Sequence, residues 1–149
     1  MQSLIANRHH WMFAAKATLL KSRNEVAVLS KKILIVDDSK TDLIALEEAL
    51  SSTQALVYKA SSGAEALRIA SSEAPDIIFL DIVMEEMSGF DACRALRKGD
   101  NTSTTPIIFV SSKCSKADKL WAQKQGGNAL IGKPFKKEEI LEQIQRLGL

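Results

Sequence analysis

The sequence predicts an α/β fold, a doubly wound five-stranded parallel sheet with helices on both faces, from three observations. After Lys32, short apolar runs alternate with helical patterns five times. Four of the five runs are rich in β-branched residues and continuous rather than alternating, the mark of strands buried on both faces. Four of the segments between and after them open with a serine followed three residues later by an acid, the start signal of a capped helix. Neighbouring parallel strands need right-handed crossovers, each with its helix, so few other architectures remain.

The first strand is ILIVD, residues 33–37. Ser39 with Asp42 opens the first helix, whose Leu43, Leu46 and Leu50 make one apolar stripe. The second strand is ALVYKA, 55–60, and Ser62 with Glu65 starts the second helix. DIIFLD, 76–81, is the third strand; Ser88 with Asp91 begins the third helix, which Gly99 and Asp100 end. PIIFVS, 106–111, is the fourth strand, followed by Ser115 with Asp118 and a helix stopped by Gly126 and Gly127. NALIGK, 128–133, is the fifth, and the last helix carries the stripe Ile140, Leu141, Ile144 and Leu147.

With 149 residues, 46% hydrophobic and 26% charged, the chain has room for one globular unit, expected over residues 31–149. Its net charge of +2 conceals three regions. Residues 1–32 carry six basic residues against one acid, 33–112 six against thirteen, and 113–149 eight against four. Residues 1–30 are predicted to be a basic arm: an amphipathic helix, a loose segment, or an upstream start with no structural role. Lys16 interrupts its apolar stretch, which argues against a secretory signal, and no run approaches the length of a membrane span. The adjacent His9 and His10 are a poor metal signature. Cys93 and Cys114 have no CxxC spacing, which argues against zinc and disulfides and for a reducing cytoplasm. Cys93 faces the predicted core, and Cys114 falls in a loop.

In doubly wound sheets, function gathers at the carboxyl ends of the strands, near the point where strand order reverses. Those ends carry Asp37 and Asp38 after the first strand, Asp81 after the third, Ser111 after the fourth and Lys133 after the fifth. In the flavodoxin-like order 2-1-3-4-5, strands one and three are neighbours, so the acid pair and Asp81 share a pocket. Two carboxylates about 4 Å apart repel by roughly 4 kcal/mol at an effective dielectric of 20. A proton, a lysine or a hard cation must neutralise them. Mg²⁺ suits an all-oxygen site with few carboxylates and open positions for phosphate oxygens. Lys133 and Ser111 complete a cradle for a phosphoryl group on Asp81, acting as nucleophile. Any one of these residues alone is better explained as a solvated loop position, but the joint pattern is not; that Lys133 merely forms a stabilising ion pair stays a separate alternative.

The stretches ILIVDDSKTD, PDIIFLDIVMEEMSGFDACRALR, TPIIFVSSK and GKPFKKEEIL together resemble the receiver domain of two-component response regulators over residues 32–147. The resemblance implies that Asp81 is the phosphoacceptor, and that Asp37, Asp38, Asp81 and the backbone carbonyl of Val83 hold Mg²⁺. It implies that Ser111 is the switch hydroxyl, that Lys133 pairs with the phosphoryl group, and that the Lys133–Pro134 bond is cis. The phosphodonor would be a phosphohistidine of a sensor histidine kinase or a histidine phosphotransfer domain. Output would pass through the face of the fourth helix, fifth strand and fifth helix, by protein contact from a stand-alone monomer or weak dimer, without nucleic acid. Lys113, Lys116, Lys119 and Lys124 crowd that fourth helix, which suits an acidic partner or a plain solvated face. The run Asp118-Lys119, Trp121, Gln125-Gly126 further resembles receivers of the chemotaxis-like system of twitching motility.

Four positions depart from the family pattern. Leu130 stands where an aromatic usually follows the switch, Val83 and Lys113 are poor holders of an attacking water, and Glu85 replaces a usual proline. Val83 also counts against the alternative of a haloacid-dehalogenase-like phosphatase, which places a second aspartate two residues after its nucleophile. A degenerate receiver that only binds partners is the other alternative. A nucleotide-binding flavodoxin relative would need a glycine-rich turn after the first strand, and none is present.

Overall fold

A computed structural model describes residues 30–149, and the predicted basic arm falls, but for Ser30, outside the described residues. Lys31–Leu149 is one compact unit. It runs β1 (Lys32–Val36), α1 (Lys40–Ala49), β2 (Leu56–Ala60), α2 (Gly63–Glu73), β3 (Ile77–Leu80), α3 (Gly89–Lys98), β4 (Ile107–Ser111), α4 (Lys116–Lys124), β5 (Ala129–Gly132) and α5 (Lys137–Arg146). The five strands are parallel, in the order β2-β1-β3-β4-β5, as expected.

Alternation along the central strands divides the core in two. Leu34, Val36, Ile78, Leu80, Ile107 and Phe109 point to one face, under Ala66 and Ala70 of α2, Cys93 and Leu96 of α3, and Ala122 of α4. Ile33, Ile35, Ile77, Phe79, Ile108 and Val110 point to the other, under Leu46 of α1 and Ile140 and Ile144 of α5. Each such side chain contributes about 1.5–3 kcal/mol of burial. Two-sided burial holds for β1, β3 and β4 but not for β2 and β5. These two are the sheet's edges, and Leu56 in β2 is exposed.

The strands also stop earlier than their apolar runs suggest. β1, β3 and β5 end at Val36, Leu80 and Gly132, so Asp37, Asp81 and Lys133 stand just past the ladder; only Ser111 is within a strand. All four predicted serines cap their helices, accepting the N–H of Asp42, Glu65, Asp91 and Asp118. Of these four serines, only Ser115 completes the reciprocal half of the box, its N–H donating to Asp118 at 2.9 Å. Elsewhere the acid has another partner. Asp42 turns to Lys133, Glu65 accepts from Ser61, and Asp91 pairs with Arg94.

Two glycines stand where a side chain would clash or strain the backbone. A Cβ on Gly89 would sit 2.0 Å from the Asp81 carbonyl oxygen, while the Gly89 N–H donates to Ile82 O at 2.8 Å. The start of α3 is thereby pressed against the end of β3. Gly126 has φ +104°, and with Gly127 it closes α4 in a Schellman turn, the Gly126 and Gly127 N–H groups donating to Gln123 O and Ala122 O. Arg97, on α3, binds this turn from outside. Its guanidinium donates to Gly126 O at 2.8 and 3.0 Å, to Thr105 O at 2.7 Å, to Thr102 O at 3.2 Å and to Asn128 Oδ1 at 3.2 Å. The Lys133–Pro134 bond is cis.

Candidate functional site

The site forms because β1 and β3 are adjacent, with Val36 paired to Leu80, so the residues after them meet at one edge of the sheet. Asp37 and Asp81 are buried and Asp38 is exposed; one carboxylate oxygen from each lies within 4.8 Å of the others. Backbone donors hold two of them in place. Asp37 Oδ1 accepts the Ser39 N–H at 2.9 Å, and Asp81 Oδ1 accepts the Ile82 N–H at 2.9 Å.

Lys133 reaches this group from the far side of the sheet. Its Nζ is 2.7 Å from Asp37 Oδ2, 3.0 Å from Asp42 Oδ2 and 3.5 Å from Asp81 Oδ1. The β4–β5 ladder delivers it, since Ser111 is in register with Gly132 and its carbonyl accepts the Lys133 N–H at 2.8 Å. The Ser111 hydroxyl is wholly buried and accepts the Lys113 N–H at 3.1 Å. No hydrogen bond among the described residues joins it to a carboxylate. Val83 is in the loop after Asp81 with its side chain 58% exposed. In that loop Glu86 takes φ +65° and the Met87 N–H donates to Glu85 O at 2.7 Å, which turns the chain next to Glu85.

Burial, and then the charge of Asp37, push the Asp81 carboxyl up to about 6; Lys133 and the Ile82 N–H only partly offset them. Burial works against the charge of Lys133, but its bonds to Asp37 and Asp42 and the charge of Asp81 outweigh this and raise its pKa. One ammonium among four carboxylates leaves the rim negative. The donors Asp37, Asp38 and Asp81 are hard oxygens in a partly open cluster, a set that fits a divalent cation such as Mg²⁺.

Of the residues singled out in the sequence, Asp37, Asp38, Asp81 and Lys133 come together, and Ser111 stands beside Lys133. Asp42 is the site residue that sequence reasoning missed. Its position three residues after Ser39 was fully explained as half of a capping box.

A parallel sheet in the order 2-1-3-4-5, with acids after the adjacent strands β1 and β3 and a lysine brought in from the edge strand β5, defines a doubly wound, flavodoxin-like domain. The chain belongs to the response regulator receiver domain family, which it matches over residues 33–145. It is 39% identical over 113 residues to Protein PilH of Pseudomonas aeruginosa, covering 76% of this chain and 93% of that protein. Its fold is similar to that of chemotaxis protein CheY4 of Vibrio cholerae, with a TM-score of 0.74 and 30% identity, covering 79% of this chain and 98% of that one. The receiver domain of the sensor histidine kinase PA1611 from Pseudomonas aeruginosa is similar at TM-score 0.74 and 28% identity, over 80% of this chain and 99% of that one. That structure has a magnesium ion coordinated in its active-site cleft. Receiver domains are signalling modules that take phosphoryl groups from histidine kinases or phosphotransfer partners.

Proposed function

We propose that this protein accepts a phosphoryl group on Asp81 from a phosphohistidine of a sensor kinase or phosphotransfer domain, and signals through the face formed by α4, β5 and α5. The observation that carries this reading is the cluster of Asp37, Asp38 and Asp81 within 4.8 Å with Lys133 directed into it. In the transfer, an Asp81 oxygen forms a bond to phosphorus as the phosphorus–nitrogen bond of the donor breaks, and the imidazole leaves with the electron pair. Asp81 must be ionised to attack, and with its pKa at about 6 it is so at neutral pH. Lys133 stabilises charge on the phosphoryl oxygens, and the Ser111 hydroxyl donates to one of them. Asp37, Asp38, Asp81 and the Val83 carbonyl would hold Mg²⁺, which when bound neutralises the negative charge gathered at the rim.

Output passes through protein contact in the cytoplasm, in keeping with two free cysteines and with the absence, among the described residues, of any helix long and apolar enough to cross a membrane. Similarity to PilH supports a place in the chemotaxis-like control of twitching motility. Incubation with acetyl phosphate and Mg²⁺, followed by intact mass, should add one phosphoryl group to the wild type and none to Asp81→Asn. Addition that survives the substitution would remove Asp81 from this role, and continued release of phosphate would favour a phosphatase. No addition to the wild type would favour a module that only binds partners. Because Val83 and exposed Lys113 hold a water poorly, the isolated phosphoprotein should persist well beyond seconds; decay within seconds by the same measurement contradicts this.

A further inference from the structure

An ammonium group has three N–H donors. Around Lys133 Nζ stand three carboxylates, Asp37 at 2.7 Å, Asp42 at 3.0 Å and Asp81 at 3.5 Å, so the contact to the acceptor residue is the longest. Asp42 has little structural need of this partner. It occupies the first turn of α1, where a carboxylate is favoured by the helix dipole, its backbone N–H goes to Ser39 Oγ at 3.3 Å, and its side chain is 39% exposed to water. Lys133 has little need of Asp42 either, because buried Asp37 holds it at the shorter distance. The extra carboxylate nevertheless lies closer to the ammonium than the Asp81 carboxylate does.

We propose that Asp42 is a positioning residue that competes with the Asp81 phosphoryl group for Lys133 and so restrains phosphorylation. The inference rests on Asp81 being the phosphoacceptor. In the unphosphorylated protein, Lys133 ties the β5–α5 connection to α1 through Asp42. When the phosphoryl group arrives, the N–H that pointed to Asp42 turns to a phosphoryl oxygen, and the Asp42 carboxylate is left to water. The phosphorylated state therefore loses a bridge between α1 and the β5–α5 connection, and its charge pair must repay that loss. No change of protonation is required.

The test is the initial rate of phosphoryl incorporation from acetyl phosphate at fixed Mg²⁺, read by intact mass. Asp42→Asn keeps the backbone N–H that Ser39 caps and should raise the rate about two- to fivefold, the worth of a partly exposed ion pair. Asp42→Glu, which retains the charge, should stay near the wild-type rate. In a Lys133→Gln background the same Asp42→Asn change should alter nothing, because the competition has lost its object. A rate for Asp42→Asn at or below the wild type, or an acceleration that persists without Lys133, overturns the inference while leaving Asp81 as acceptor. If the wild type itself takes up no phosphoryl group, the reading of Asp81 fails first and this inference with it.

Discussion

Helices α3 and α4 contribute to the same core cluster, start with the same serine cap, and are held by opposite means. α3 buries Gly89, Ala92, Cys93 and Leu96 along its length. α4 buries only Ala122, and leaves Leu120 and Trp121 at 61% and 53% exposure beside a row of exposed lysines. α3 is fixed by its side, whereas α4 is fixed at its ends, by the Ser115–Asp118 box at one and by the Schellman turn gripped by Arg97 at the other. An element with few buried contacts opens and shifts at low cost. This is the mechanical property a signalling face needs, and in the proposed function that face includes α4.

The sharpest way to break the contrast is to truncate one leucine from each helix. Leu96→Ala should cost about 2–5 kcal/mol in urea unfolding, while Leu120→Ala should stay within about 0.5 kcal/mol. Equal costs would mean that α4 is packed after all. Arg97→Ala should cost about 2–3 kcal/mol by stranding the carbonyls of Gly126, Thr105 and Thr102. Its particular signature is faster hydrogen exchange at Gln125, Gly126 and Gly127, at the end of α4, rather than in α3.

Asp81, pressed against the start of α3, allows a measurement of opposite sign. Its carboxyl is raised from 3.8 to about 6, so between these values the folded protein binds more protons than the unfolded chain and loses stability as pH rises. In metal-free buffer at neutral pH, Asp81→Asn should therefore stabilise by on the order of 2 kcal/mol, and the gain should vanish below the unfolded value near pH 4. A gain that is the same at both pH values would show that charge is not the cause. A smaller loss than at Leu96, Arg97 or Asp81 belongs to the start of α4. Ser115→Ala removes one cap and should cost about 1 kcal/mol, seen as faster exchange confined to the first turn of α4.

The sequence exposed the parts of this molecule whose patterning has one cause. Ile33 to Val36 and Ile77 to Leu80 are apolar without interruption because both faces of their strands are covered, and the acids that follow mark where cover ends. β2 and β5 were legible as strands but not as edges, since a short mixed run such as Leu56 to Lys59 does not show how many neighbours it will have. The acid cluster was visible because strand order places Asp37 beside Asp81. Asp42 was not, because a local explanation as a capping residue was complete and its partner is 91 positions away. Arg97 was hidden for a similar reason: on an amphipathic helix, a cation near the last turn is expected to face water or the helix dipole.

Arg97 also has a consequence for what lengths of chain this fold accepts. One planar guanidinium spans the connection before β4, through Thr102 and Thr105, and the connection before β5, through Gly126 and Asn128. Both segments are cut to a common gauge, and a residue inserted into either would pull its carbonyls out of the fork. Tags, insertions or new termini belong instead in the exposed turn near Ser51 and Ser52, where no such clamp fixes the spacing.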